Sequence, residues 1–313
     1  MPDASGGAAF PSPCAQANGL ELAYQTFGSR DAPPVLLIAG LGAQMTWWDD
    51  AFCERLAACG LLVIRFDNRD AGRSTWLAGA PVPRRLALVA AAIRGRRLQV
   101  AYTIDDMARD CIGLLDTLGI ACAHVVGASL GSAIGQSMVI HHGGRVLSFT
   151  SIMGMSGNPR VLRPRPDALA LLFSRSAATE AAYIAAYRHA SRVLRAGLFP
   201  EEEARDTSRA RIAWLRGYNP AGRSRQFAAF LAGGSRAMAL RDVHVPTLVV
   251  HGAVDPLVPL AAGAETAALI PNARLRVIAR MGHALPTALW PEIIEAIAEH
   301  VTAPAFHQEA AFA

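Results

Sequence analysis

His124-Val125-Val126-Gly127-Ala128-Ser129-Leu130-Gly131 joins a short apolar run to a G-x-S-x-G string, and an apolar-periodic stretch continues from it. The run reads as a strand and the continuation as a helix. A serine at the tip of so sharp a strand-to-helix turn is lifted above the end of a sheet, where its hydroxyl is presented as a nucleophile. Such a turn strains the serine backbone and brings strand and helix close together, so only small residues fit at its flanks. Gly127 and Gly131 meet both demands. The new helix also aims its first free N–H groups, that of Leu130 among them, at any oxygen beside Ser129, a setting that favours an oxyanion. Alone, the string equally fits a glycine-bearing loop with a solvated serine, so its meaning rests on partners.

A serine hydroxyl is a poor nucleophile at neutral pH and needs a positioned imidazole to take its proton and later return it to the leaving group. A carboxylate must in turn fix the imidazole tautomer. Downstream, Thr247-Leu248-Val249-Val250-His251-Gly252 reads as a buried strand, and Asp255 follows it before Pro256. Ala273 to Ala279 alternates as a further strand, and His283 follows in Met281-Gly282-His283-Ala284-Leu285-Pro286. Both candidates sit just past strand C-termini, where open α/β sheets bind ligands. Read by itself, Asp255 before a proline is also a common turn former. Among the other eight histidines, His251 is the main rival base, since it ends a strand, although it precedes the acid. Asp242 is the rival acid, but it lies ahead of its strand and belongs to the opposite rim. The strand from Val146 to Gly154 carries no carboxylate.

An oxyanion needs a second donor from an early loop. Pro34-Val35-Leu36-Leu37-Ile38 runs into Ala39-Gly40-Leu41-Gly42-Ala43, a glycine-bracketed turn, and the N–H of Leu41 is the candidate partner for that of Leu130. A dinucleotide-binding glycine loop fits this stretch poorly, because the third glycine and the later acid are missing.

Length and composition bound the rest. A chain of 313 residues, 52% hydrophobic and 18% charged, suits one large compact domain with an insertion. No apolar stretch reaches the roughly 18 to 20 residues that span a bilayer, so no stable membrane insertion is expected. All 30 basic residues are arginine. The formal charge of +5 therefore reads as compositional bias, without a nucleic-acid partner; only Arg84, Arg85, Arg94, Arg96 and Arg97 cluster, as a solvated face or a docking patch for an acidic partner. The lack of lysine excludes a P-loop, a Schiff base and a Ser-Lys dyad. Five cysteines without C-x-x-C spacing read as reduced thiols, most of them core residues, and point with the absence of a secretion signal to the cytoplasm. No metal-binding motif and no cofactor site is read.

Along the chain, residues 1–17 read as a loose leader, 18–154 and 241–303 as an alternating β/α core, 155–240 as a proline-broken helical insertion, and 304–313 as a tail. The insertion follows the sixth strand and reads as a cap over the site. Its aromatics, Phe173, Tyr183, Tyr187, Trp214, Tyr218, Phe227 and Phe230, either line a substrate pocket or form the cap's own core.

With elbow, acid, base and glycine loop placed in that order, residues 18 to 303 resemble the α/β-hydrolase superfamily. The segment Val63-Ile64-Arg65-Phe66-Asp67-Asn68-Arg69-Asp70-Ala71-Gly72-Arg73-Ser74-Thr75, together with Val245 to Val249 and Met281 to Pro286, is similar to bacterial esterases grouped with aclacinomycin methylesterase. The resemblance implies an α/β-hydrolase fold with a mainly parallel eight-stranded sheet, and a Ser129, Asp255 and His283 triad that cleaves carboxylic esters of small molecules through an acyl-enzyme. Asp67 to Asp70 then read as a supporting turn. One departure is Ala39-Gly40, where many relatives carry histidine-glycine at the oxyanion loop. The same constellation serves lactonases, perhydrolases, acyltransferases and carbon–carbon bond hydrolases, and a non-catalytic binding protein is the rival of another class.

Overall fold

A computed structural model describes residues 12–82, 84, 88–90, 94 and 98–303. The eight strands are β1 (Cys14–Ala17), β2 (Leu20–Phe27), β3 (Pro34–Ile38), β4 (Leu62–Phe66), β5 (Ala123–Ala128), β6 (Val146–Ile152), β7 (Thr247–Gly252) and β8 (Arg274–Ile278). They form one sheet in the order β1-β2-β4-β3-β5-β6-β7-β8. β1 and β2 run antiparallel to their neighbours, and the strands from β4 to β8 are mutually parallel.

Period-two alternation decides which helices cover which face. Val35, Leu37, Val63 and Val126 point to one side, against α1 (Asp50–Ala57) and α9 (Trp290–Val301). Leu36, Ile38, Ile64 and Val125 point to the other, against α2 (Ile104–Thr117) and α3 (Leu130–His141). Covering both faces explains why β3, β4 and β5 are apolar almost throughout. Local signals set the helix starts: Asp49 caps α1, and Thr103 with Asp106 forms a reciprocal capping box on α2. In α3 every residue from Leu130 to Val139 is buried, as befits a helix packed between the sheet and α2.

Between β6 and β7 lie α4 (Pro166–Leu171), α5 (Glu180–Leu194), α6 (Glu203–Gly217) and α7 (Pro220–Gly233), with α8 (Leu260–Leu269) after β7. The first four are the helical insertion expected after the sixth strand. The stretch read as a leader ends in an ordered strand: Ala15 and Ala17 of β1 are buried and pair with β2. Residues 1–11 and 304–313, together with Arg85, Arg96, Arg97 and His307, lie outside the described residues. Of the cysteines expected in the core, only Cys53 and Cys111 are buried; Cys14 and Cys59 are exposed and Cys122 is intermediate. No helix among the described residues is long and apolar enough to cross a membrane.

Two contacts in this frame carry measurable consequences. A Cβ on Gly131 would stand 2.1 Å from the carbonyl oxygen of Ile38, a backbone atom of β3 that cannot swing aside. Gly131→Ala is expected to cost about 3 kcal/mol, the upper end for overpacking; an unchanged urea midpoint would contradict this. His300 in α9 is buried beside Arg274, whose guanidinium donates to Nδ1 at 3.1 Å. Burial first, and the Arg274 charge second, push its pKa down to about 4. The unfolded chain therefore binds this proton near pH 6.5 while the folded chain resists it, so stability should fall as pH drops from about 6.5 towards 4. In His300→Gln that part of the acid loss should disappear from the urea midpoint measured against pH.

Candidate active site

Ser129 follows β5 and opens α3 with φ 55° and ψ −112°, a left-handed value rare outside glycine. Its N–H donates to the carbonyl of Ile152 at 3.0 Å, anchoring the elbow to β6. The flanking glycines are structurally forced: a Cβ at 127 would meet the carbonyl oxygen of Gly131 at 2.2 Å, complementing the clash at 131.

The loops after β7 and β8 bring the other two side chains to this elbow. Asp255 and His283 are 8% and 7% exposed. One carboxylate oxygen of Asp255 accepts the N–H groups of Leu257 at 2.9 Å and Val258 at 2.8 Å, which leaves Oδ2 for the imidazole. His283 Nδ1 lies 2.7 Å from that oxygen, and Nε2 lies 2.9 Å from Ser129 Oγ. A carboxylate only accepts, so Nδ1 carries the proton and Nε2 is free to accept from the serine hydroxyl. The backbone N–H of His283 donates to the carbonyl of Leu194 at 2.7 Å, so the base is also tied to the end of α5.

The rivals are placed elsewhere. His251 is fully buried, and its Nε2 donates to the carbonyl of Val258 at 2.8 Å, bracing the acid loop from below. Burial pushes its pKa down, keeping the ring neutral. Asp242 is exposed in a short helical turn ahead of β7.

Leu41 and Leu130 both line a cavity of about 110 Å³ that opens on Ser129. Its other walls include Met153 and Met155 after β6 and Phe227 and Phe230 of α7. Leu130 is the first residue of α3, so its N–H lacks an intrahelical acceptor. The cap aromatics divide between the two readings. Tyr183, Tyr187, Trp214 and Tyr218 pack on one another as the cap's own core, with ring centroids 4.6–6.2 Å apart. Phe227 and Phe230 face the cavity, and Phe173 stands edge-on to Phe227.

Sequence reasoning took the Asp67 to Asp70 turn as core support and missed its second role. Asp67 pairs with Arg216 of α6 at 2.6 Å, and Asp70 pairs with Arg225 of α7 at 2.6 Å, all four side chains being nearly inaccessible. Burial alone would raise the Asp70 pKa, but Arg225, the Leu77 N–H and the Tyr102 hydroxyl outweigh it and hold the carboxyl below its ordinary range. These pairs fasten the cap to the core beside the site. The only sequence signal for them was the arginine excess.

The sequence profile of the α/β-hydrolase fold matches residues 33–286. The chain belongs to the α/β-hydrolase family. Within this family it is 30% identical over 296 residues to rhodomycin D methylesterase DauP of Streptomyces sp. (strain C5), covering 86% of this chain and 91% of the relative. The likeness to methylesterases read from Val63 to Thr75, Val245 to Val249 and Met281 to Pro286 is thus borne out. Among solved α/β-hydrolases, an esterase from Exiguobacterium antarcticum superposes with a TM-score of 0.70 at 18% identity, over 93% of this chain and 99% of that one. A meta-cleavage product hydrolase from Pseudomonas fluorescens IP01 gives 0.69 at 20% identity, over 92% and 96%. At such identities these two matches speak for the fold alone.

Proposed function

We propose that this chain is a serine-dependent carboxylic ester hydrolase that works through an acyl-enzyme. The observation that carries the reading is the hydrogen-bonded run from Ser129 Oγ through His283 to Asp255, at 2.9 Å and 2.7 Å, on a serine held at positive φ. Ser129 attacks the ester carbonyl as His283 Nε2 takes the hydroxyl proton. Asp255 holds the ring in the required tautomer and stabilises the imidazolium. The N–H groups of Leu41 and Leu130 receive the oxyanion, His283 returns its proton to the departing alcohol, and a water activated by the same imidazole releases the acid. Relatives that include a methylesterase favour ester cleavage over the other reactions open to this constellation. None of these steps calls on a metal or cofactor, and the substrate is a small molecule.

The cavity beside Ser129 is walled almost entirely by carbon and sulfur, so the acyl group it holds is apolar and uncharged. Each buried methylene contributes about 0.8 kcal/mol, or roughly fourfold in kcat/KM. Across p-nitrophenyl acetate, propionate and butyrate the purified protein should therefore accelerate about fourfold per carbon. The hemisuccinate, whose carboxylate would be buried without a partner, should fall about 100-fold below butyrate. A protein inert to every carboxylic ester would contradict the proposed function, and equal rates for butyrate and hemisuccinate would contradict the assigned acyl pocket.

A further inference from the structure

We infer that Gln226, a cap residue far from Ser129 in sequence, is the positioning residue of the oxyanion hole. This rests on the hydrolase reading above, with the Leu41 N–H as one donor. The loop Ala39-Gly40-Leu41-Gly42-Ala43 carries no polar side chain, so whatever fixes its peptide groups must come from outside. The Ala43 N–H closes the turn on the carbonyl of Gly40 at 3.2 Å, and Gly42 takes φ 67°, the positive value that the third residue of a type II turn requires. The turn abuts the nucleophile: a Cβ on Gly40 would lie 4.0 Å from Ser129 Oγ. Such a closed turn leaves its two central N–H groups, those of Leu41 and Gly42, to find acceptors elsewhere. That of Gly42 donates to Gln226 Oε1 at 2.8 Å. That of Leu41 has no acceptor among the described residues, and Leu41 lines the cavity with Ser129.

Gln226 is itself locked. It is fully buried on α7, and its Nε2 donates to the carbonyl of Arg69 at 2.8 Å. Turning the amide over would set N–H against the Gly42 N–H and oxygen against the Arg69 carbonyl, so only one orientation satisfies both ends. The side chain therefore straps the turn to the segment after β4, and Asn68 Nδ2 of that same segment donates to the carbonyl of Ala39 at 3.2 Å. A hole donor acts only when it sits within about 2.7–3.1 Å of the developing oxyanion. Without the strap, the Leu41–Gly42 peptide is free to rotate, the turn loses its fixed shape, and the adjoining Gly40–Leu41 peptide, which carries the donor N–H, drifts from that range. The cap thus completes the catalytic centre as well as covering it.

The test uses full-length protein and p-nitrophenyl butyrate, with rates expressed per site titrated by a fluorophosphonate, so that loss of folded protein does not enter. Removing a hole donor outright costs about 100- to 1000-fold in kcat. Gln226→Met, which keeps the volume but neither hydrogen bond, should misplace one and lower kcat per site roughly 10- to 100-fold with KM little changed. A trifluoromethyl ketone, whose hemiketal oxygen occupies the hole, should lose affinity by the same factor. Gln226→Glu, which still offers an oxygen to Gly42, should recover part of the rate. Should the methionine variant not fold, Gln226→Asn, whose amide stops one methylene short of Gly42, is expected to show the same split between kcat and KM. A kcat per site within about twofold of wild type in the folded variant overturns the inference, whatever happens to Tm, because a residue that only fastens the cap would lower stability alone. An inert wild-type protein overturns the hydrolase reading itself and this inference with it.

Discussion

Ser129→Ala is expected to lower ester turnover about 10⁴- to 10⁶-fold while leaving the fold intact, the range seen when the nucleophile of a serine triad is removed. The size follows from the roles assigned at the elbow. Without Oγ there is no acyl-enzyme, and the residual rate comes from the hole and the pocket acting on water. Stability gives an independent reading of the same site. Ser129 sits at φ 55°, where an L side chain costs about 1–2 kcal/mol and glycine does not. Ser129→Gly should therefore be as inactive as the alanine variant yet melt higher, whereas Ser129→Ala keeps the strain. A glycine variant that melts below wild type would show that the elbow is held by contacts of the hydroxyl, against the picture of a nucleophile kept in a costly conformation for function.

Arg216→Ala carries the largest expected effect on stability, about 3–5 kcal/mol, because it leaves a buried carboxylate without its countercharge. Arg216 reaches from α6 to Asp67 Oδ2 at 2.6 Å, and its Nε donates to Gln44 Oε1 at 3.1 Å. Asp67 also accepts the N–H groups of Met45 at 2.6 Å and Arg73 at 3.0 Å, but two backbone dipoles do not replace a guanidinium. Gln44 in turn donates to the carbonyls of Ala213 and Gly217, so the loss spreads along the seam between cap and core. Neutralising both partners, as in Asp67→Asn with Arg216→Met, should cost clearly less than Arg216→Ala alone. Urea midpoints of the three proteins decide the matter. A loss below about 1 kcal/mol for Arg216→Ala, the value of a surface pair, would mean that the seam is hydrated and that the pair does not clamp the cap.

The elements that sequence reasoning reached are those written in local chemistry. Gly127 and Gly131 announce the elbow because no other residue fits between backbone atoms there. Asp255 and His283 announce themselves by their places just past strand-like runs, and the structure puts His283 within bonding reach of Ser129 and Asp255 within bonding reach of His283. What escaped is long-range and polar. Arg216, Arg225 and Gln226 lie on helices of the proline-broken insertion, and their partners stand about 150 to 180 positions away, beyond the reach of any local pattern. The arginine excess, read as compositional bias, supplies part of the core: Arg69, Arg195, Arg216 and Arg225 are buried in ion pairs. Strand β1 escaped for a different reason. Four residues of small and polar side chains lack the β-branched or aromatic content that marks a strand, and only pairing with β2 orders them.

The central claim is that Ser129, activated by His283, is the group that takes up the acyl chain. Intact-protein mass spectrometry after treatment with a fluorophosphonate reads it directly, because only an activated serine reacts. The expected result is one adduct on the wild-type protein, mapped by peptide digestion to Ser129, and none on Ser129→Ala. An adduct that persists on Ser129→Ala, or a wild-type protein that hydrolyses esters while remaining unlabelled, would contradict it.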